Sequence, residues 1–374
     1  MGMSKTRTYF SLIKSMITTG ILYQPKSFYL GGLLFSSLCC FGVGFLTLLC
    51  MIWLSKAQSK IGGTYSEIAG VAIGKFGLYS VDLMIFITQF GPSAVNFGFV
   101  IDNMTSALDI FDTKVNVFLL MLMVLAILLP LCLIKTIREQ SIAHIIADLI
   151  IIINVAIIGI YSSVTGISDS SISIITPKNM VYTLGTLVYG FEGIALLLPI
   201  KSEMKIPQSF DKILSYMIIT IIILFIWFSN VCVFAYNNDI KDLVTLNLPK
   251  HSWVAVMLIL YVFAVILTLP LAMYPTFLIT EKYLNLRGNC AQGARVILVI
   301  IVAVLGTAAR NYLGLLVSVI GGIFCSPLAF IFPAIINLKI MANDKKTRNM
   351  SKVMIVIGVI FGISAAFSTL YFNI

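Results

Sequence analysis

Charged residues are scarce in this chain of 374 residues. Asp, Glu, Lys and Arg make up 11% of it and hydrophobic residues 59%, whereas an ordinary soluble domain has about 25% charged residues. A soluble protein of this length needs a polar surface that such a composition does not supply. The composition therefore excludes a cytosolic enzyme, a nucleic-acid-binding domain and a disordered chain, and it predicts an integral membrane protein.

Residues that hold metals or perform nucleophilic chemistry are few and scattered. The two histidines, His144 and His251, stand alone, and the seven cysteines form no pair that indicates a metal or redox motif. No combination of a nucleophile with a base is visible. We therefore expect neither an enzyme nor a bound metal or other cofactor.

Long apolar runs fill most of the chain. A transmembrane helix needs about 20 apolar residues, and within lipid only a helix or a closed barrel satisfies the backbone. The runs are too long for barrel strands and lack their alternating pattern. The sequence therefore predicts an all-α polytopic membrane protein with eleven transmembrane helices. The spans lie at about 9–28, 31–55, 80–107, 115–134, 141–162, 179–200, 213–236, 252–280, 292–310, 312–338 and 352–372.

The positive charges are distributed unevenly between the loops. If the N-terminus is cytosolic, most of the 25 Lys and Arg residues fall on the cytosolic side, as the positive-inside rule requires. The C-terminus is then extracellular or lumenal, and the basic excess needs no nucleic-acid partner to explain it. The outer side keeps Lys26, Lys114, Lys178, Lys241, Lys250 and Arg310.

Glycine and proline interrupt two of the predicted spans. Gly20 is followed by Pro25 in span 1, and Gly193 by Pro199 in span 6. These spans are predicted to run in opposite directions, and a matched pair of interrupted spans is typical of inverted-repeat transporters. An unwound turn exposes N–H and C=O groups that lipid cannot satisfy, so a polar ligand or ion must. The alternative is two flexible or closely packed helices, because both residues are common in membrane helices.

Glu192 places a carboxylate inside span 6. Ionisable residues in membrane helices are rare, and they are usually protonated, paired or next to a water path. Glu192 is therefore a candidate for proton coupling or for shaping a substrate site. The alternative is a structural carboxylate that caps N–H groups freed by the unwound turn.

Polar residues also mark spans 3 and 8. Asn96 shares a helix face with Gln89, and the two residues either line a cavity with spans 1 and 6 or hydrogen-bond between helices. Thr276 and Thr280 in span 8 either coordinate an ion or hydrogen-bond their own helix, and the second arrangement is the more common one.

Four motifs carry a family resemblance. Residues 18–25 read Thr-Thr-Gly-Ile-Leu-Tyr-Gln-Pro and residues 191–194 read Phe-Glu-Gly-Ile. Residues 246–249 read Leu-Asn-Leu-Pro and residues 326–333 read Ser-Pro-Leu-Ala-Phe-Ile-Phe-Pro. Together these resemble the amino acid/auxin permease family, within which the chain is most similar to yeast vacuolar amino-acid exporters and proton-coupled amino-acid transporters. Thr18 and Gln24 depart from the family's first-helix pattern.

The resemblance implies a LeuT-type fold, with a 5+5 inverted repeat and one extra helix. We expect a short cytosolic N-terminus at 1–8, a ten-helix transport core at 9–340, and a cytosolic loop with the eleventh helix at 341–374. Repeat one covers 9–162 and repeat two covers 179–338.

The resemblance also implies secondary active transport of amino acids by alternating access, as in a symporter. The coupling ion is expected to be a proton, with sodium as the other candidate, and the membrane is vacuolar, lysosomal or plasma membrane. The alternative function is a non-transporting amino-acid sensor on the same fold. The candidate substrate-binding residues are Thr18, Thr19, Gly20, Ile21, Tyr189, Gly190, Phe191 and Asn96.

These residues have distinct expected roles. The substrate carboxylate is expected to meet backbone N–H groups near Gly20, and the amino group to meet carbonyl groups near Gly190. Glu192 is the candidate for proton coupling, and Thr276 with Thr280 is the candidate ion site.

Overall fold

The computed structural model describes residues 3–17, 19–133, 137–165, 173–176, 179–342 and 344–371, apart from the side chains of residues 137–145, 148 and 365–371. The described residues are mostly helical and contain no β-strand, only an isolated bridge between Met3 and Met204. The all-α prediction is confirmed.

The α-helices are α1 (Lys5–Met16), α2 (Gln24–Gly31), α3 (Leu33–Ile61), α4 (Tyr65–Ile73), α5 (Lys75–Ile110), α6 (Val117–Leu133), α7 (Ile137–Val164), α8 (Met180–Gly190), α9 (Ile194–Ser202), α10 (Phe210–Tyr236), α11 (Ser252–Tyr283), α12 (Asn289–Ala308), α13 (Leu313–Val319), α14 (Phe332–Ile336) and α15 (Lys345–Tyr371).

Many of these helices are long enough to cross a bilayer. Eight helical segments of the described chain combine the necessary length and apolarity. Two shorter apolar helices, Val117–Leu133 and Leu149–Val164, occupy predicted spans 4 and 5. Predicted span 1 is divided between α1 and α2. The chain is thus a polytopic helical membrane protein, while the number of eleven spans stays a prediction.

Helix α4 was not predicted from the sequence, because it is too short to be a span. Its start is determined by a capping box. The Thr64 hydroxyl accepts from the backbone N–H of Glu67 (3.4 Å), and the Glu67 carboxylate accepts from the backbone N–H of Thr64 (2.8 Å). The helix ends at Gly74, whose φ of 73° suits glycine. The Thr-x-x-Glu pattern was the available sequence signal.

The chain divides into two compact units. One comprises Met1–Ile85, Ser171–Val233 and Val317–Ile374, and the other comprises Phe86–Ser170 and Phe234–Leu316. Each unit therefore takes chain from both predicted repeats.

Close packing in the first unit depends on glycine. A Cβ atom on Gly321 would collide with the carbonyl oxygen of Gly185 in α8. The Ser318 hydroxyl also donates to the carbonyl oxygen of Tyr182 (3.0 Å). The span Arg310–Met341 therefore lies directly against α8. This span contains the π-helical stretches Ile320–Cys325, Pro327–Ile331 and Asn337–Met341.

Glycine has the same role in the second unit. A Cβ atom on Gly306 of α12 would collide with the carbonyl oxygen of Ala94 in α5 and lie 3.0 Å from the backbone nitrogen of Gly98. The α5–α11 contact includes an edge-to-face pair of Phe99 and Tyr261, with ring centroids 5.1 Å apart.

Gly321→Ala is expected to lower stability by about 1–3 kcal/mol, because the new methyl group forces α8 and its neighbour apart. The measurement is the thermal unfolding midpoint of the purified protein in detergent. Gly293→Ala in α12 is the matched control, since no heavy atom outside its own helix backbone and chain neighbours lies within 4 Å of the added carbon. Equal midpoints for the two variants would contradict the packing described.

Candidate functional site

The first interruption separates α1 from α2. Helix α1 ends at Met16, and Ile17 has an extended backbone (φ −84°, ψ 91°). A 3₁₀ turn at Thr19–Tyr23 follows, and α2 begins with Gln24 and Pro25. Proline suits the first turn of a helix, where its missing N–H group is not needed. The predicted site residue Thr18 lies outside the described residues.

The second interruption separates α8 from α9. The N–H of Phe191 donates to the Leu187 carbonyl oxygen (3.0 Å), and the N–H of Glu192 donates to that of Tyr189 (3.1 Å). Helix α9 then begins at Ile194 without a side-chain cap. The α9 N-terminus therefore presents partly positive N–H groups. Both interruptions predicted from glycine and proline are present.

The two interruptions lie against each other within the first unit. A Cβ atom on Gly20 would be 3.2 Å from Cε1 of Tyr189 and 3.8 Å from Cα of Gly190. A Cβ atom on Gly193 would be 2.8 Å from Cγ of Met16. The absence of side chains at Gly20 and Gly193 is thus what allows the two broken helices to approach.

Gln24 joins the two broken helices by a hydrogen bond. Its side chain is fully buried, and its Nε2 donates to the carbonyl oxygen of Thr186 in α8 (2.9 Å). The Oε1 atom is also buried and has no hydrogen-bond partner among the described residues. The sequence marked Gln24 only as a departure from a family pattern, and its contact with α8 depends on the tertiary fold.

The predicted substrate residues near the breaks are buried wherever the structure describes them. Phe191 packs on Phe225 of α10, with ring centroids 5.4 Å apart, while Tyr189 faces Gly20. The structure thus brings Gly20, Tyr189 and Gly190 together and directs Phe191 towards α10. The buried set comprises Thr19, Gly20, Ile21, Tyr189, Gly190 and Phe191.

Glu192 lies in the break between α8 and α9. Its side chain is partly exposed and lies within electrostatic range of Tyr189 and Cys325. The position agrees with either of its expected roles, proton coupling or a structural carboxylate.

The remaining predicted residues belong to the second unit. Asn96 and Gln89 are both buried on α5. In α11 the Thr280 hydroxyl donates to the Thr276 carbonyl oxygen (2.8 Å), which is the arrangement expected of a helix-bonded threonine. The Thr276 hydroxyl is buried without a partner among the described residues.

Sequence analysis missed a buried cation at the end of α9. The Lys201 side chain is 5% exposed, and its amine donates to the Ser55 carbonyl oxygen and to the Ser59 hydroxyl (2.7 Å). The Ser55 hydroxyl in turn donates to a carboxylate oxygen of Asp211 (2.7 Å). This network ties α9 to α3 and α10. From the sequence, Lys201 was expected only to be one of the cytosolic loop cations after predicted span 6.

Lys201→Met is expected to lower the unfolding free energy by about 2–3 kcal/mol, because hydrogen bonds to a charged donor are lost. The measurement is thermal unfolding of the purified protein. Lys205→Met is the control, since Lys205 is exposed four residues further along the chain. Unfolding midpoints lowered equally by both variants would show that the network does not stabilise the fold.

Comparison with proteins of known sequence identifies the chain's relatives. Vacuolar amino acid transporter 3 of Schizosaccharomyces pombe is 27% identical over 370 residues, which cover 95% of this chain and 56% of that protein. The Saccharomyces cerevisiae protein of the same name is 27% identical over 383 residues, which cover 96% of this chain and 55% of that protein. The chain thus spans about half the length of these relatives. The Arabidopsis thaliana amino acid transporter ANT1 is 27% identical over 402 residues, which cover 98% of this chain and 92% of that protein.

Two solved structures share the fold. One is a Na⁺-coupled sialic acid symporter in a substrate-bound outward-open state, with a TM-score of 0.58 at 11% identity, covering 96% of this chain and 89% of that chain. The other is a manganese transporter of Eremococcus coleocola, with a TM-score of 0.59 at 12% identity. The match covers 96% of this chain and 85% of that chain. At this identity the likeness establishes the fold alone, which is that of LeuT-type transporters.

The relatives are named as transporters, which agrees with the expectation of a non-enzyme. The family described as transmembrane amino acid transporter protein matches residues 1–374. The chain belongs to the transmembrane amino acid transporter family.

Proposed function

We propose that this protein is a secondary active transporter that moves amino acids across a membrane by alternating access. The observation that carries the proposal is Gln24, a fully buried side chain that joins two broken helices and keeps an unpaired oxygen beside them. An unsatisfied buried acceptor costs about 1–3 kcal/mol. The ammonium group of an amino acid can satisfy it. The names of the relatives support the same substrate class.

The substrate lies at the two interruptions. Its carboxylate meets backbone N–H groups of Thr19, Gly20 and Ile21, and its ammonium meets Gln24 Oε1 and the carbonyl groups at the end of α8. The Tyr189 ring rests on Gly20, so this ring has to rotate as the substrate enters. Thr18 and Phe191 complete this set, and Phe191 shapes the pocket. Asn96, which belongs to the second unit, is proposed separately as a residue that affects selectivity.

Alternating access is a rocking of spans 1, 2, 6 and 7 against the other spans. Both interrupted helices belong to the first unit. The groups proposed to bind the carboxylate and the ammonium of the substrate therefore move together. The proposal includes eleven spans with a 5+5 inverted repeat, in which α1–α2 and α8–α9 are the matching broken spans.

Coupling to an ion supplies the energy for transport. Glu192 is the proposed proton acceptor, because it lies in the break where the substrate binds. Sodium is the alternative ion, as in the symporter that shares the fold. For sodium, the unpaired hydroxyl of Thr276 is the better ligand, and Thr280 is the weaker one because it donates to its own helix.

The proposed location is the vacuolar membrane, with the N-terminus in the cytosol and the C-terminus in the lumen. The yeast relatives are named vacuolar transporters, and the distribution of Lys and Arg supports the orientation. The plasma membrane is the alternative location. A non-transporting sensor is not favoured, because the relatives are named as transporters.

Purified protein in proteoliposomes is expected to accumulate labelled amino acids from a panel and to respond to an imposed proton or sodium gradient. Gln24→Leu removes the unpaired oxygen together with the hydrogen bond to Thr186. It is expected to reduce flux at least tenfold, since an ion–amide hydrogen bond of about 1.5–3 kcal/mol to the substrate is lost. Gln292→Leu on α12 is the control. Binding of amino acids without flux would support the sensor instead.

Glu192→Gln is expected to transport amino acids with a flux that no longer rises with an imposed proton gradient, because the amide cannot exchange a proton. The measurement is initial flux against pH on each side of the liposome membrane. Glu203→Gln is the matched control, as Glu203 is exposed at the end of α9. A Glu192→Gln variant with the same pH profile as the original protein would exclude this coupling role.

A further inference from the structure

A groove runs along the surface of the first unit between α3 and α15. Its volume is about 690 Å³. The α3 wall contains Phe45, Leu46 and Leu49, and the α15 wall contains Val353 and Ile357. Phe45 and Val353 are each more than half exposed. The walls are thus apolar and open to whatever surrounds the helices, which in a bilayer is lipid.

One end of the groove is cationic. Lys345 and Lys346, in the first turn of α15, line it together with Asn349. Both lysines are exposed, and neither ammonium group has a hydrogen bond or an ion pair with any described residue. These two charges are therefore available to an anion.

The nearest acidic side chain along the chain is already engaged. The Asp344 carboxylate accepts from the backbone N–H of Thr347 (3.1 Å) and so caps α15. Hydrogen bonds from Thr347 hold the pKa of Asp344 below its ordinary value. The cap stabilises the start of α15 and thereby places Lys345 and Lys346 at the mouth of the groove.

The dimensions match one leaflet of a bilayer. Lys345 and Ile357 are twelve residues apart, or ~18 Å along a helix. On α3, Phe45 and the exposed Lys56 are eleven residues apart, or ~16 Å. Half of a hydrocarbon core is ~15 Å. Each helix therefore carries a cation about one leaflet away from an apolar residue that lines the groove.

We propose that this groove binds one anionic phospholipid, whose phosphate lies between Lys345 and Lys346 and whose acyl chain lies on the apolar walls. In the predicted orientation this is the cytosolic leaflet, which is the leaflet that carries anionic lipids. A zwitterionic lipid brings its own cation to the lysines and fits less well. A second copy of this chain would bring the same lysines face to face. The bound lipid bridges α3 and α15 and holds the last helix to the first unit.

The test uses native mass spectrometry of the purified full chain in detergent, with phosphatidylserine and phosphatidylcholine as separate probes. The original protein is expected to retain phosphatidylserine preferentially. Lys345→Gln with Lys346→Gln is expected to weaken phosphatidylserine binding roughly 30-fold and to leave phosphatidylcholine binding unchanged. Lys75→Gln with Lys205→Gln is the control, which removes the same charge from exposed positions outside the groove.

A second variant tests the apolar walls. Val353→Trp fills the groove without changing its charge and is expected to weaken binding of both lipids, with a thermal unfolding midpoint that shows an intact fold. Equal phosphatidylserine loss in the two double variants would overturn the proposal, because surface charge alone would then explain the binding. Unchanged binding in Val353→Trp would overturn it as well, since the acyl chain would then lie elsewhere. Amino acid flux enters neither readout, so the outcome is separate from the proposed transport.

Discussion

A peptide group inside a bilayer has no water to bind, and this constraint governs the architecture of the protein. Almost all of the described chain meets it by forming helices. Two places inside predicted spans differ, namely the breaks between α1 and α2 and between α8 and α9, where backbone groups leave the helical pattern. Glycine at these breaks lets the two segments lie in contact. The backbone dipoles of both breaks are thus close together, which is where the zwitterionic substrate is proposed to bind.

Gln24 shows how one side chain can support the fold and still keep a polar group for the proposed substrate. One end of its amide supports the fold by donating to α8, while the other end stays unpaired. An apolar residue at this position would lack the hydrogen bond to α8. A polar residue whose donors and acceptors were all bonded within the protein would offer no hydrogen-bonding group to a substrate. Lys201, at the end of α9, has a structural role alone. Its ammonium group donates to Ser55 and Ser59 within the protein.

The outer surface of the first unit extends the same reasoning to lipid. The groove between α3 and α15 is apolar along its length and cationic at its mouth. These two parts complement the acyl chain and the anionic headgroup of a phospholipid. The bilayer therefore acts on this protein in two ways. As a solvent it enforces helices, and at the groove it is proposed to act as a specific ligand.

Composition and hydropathy determined the helical membrane class, and glycine and proline determined where the helices break, because both depend on the local chemistry of the backbone in lipid. Glu192 was singled out for the same reason. The contact of Gln24 with Thr186, the burial of Lys201 and the division into two units depend on residues far apart in sequence. Such pairings arise only when helices pack, and periodicity within one helix carries no information about which partner it meets.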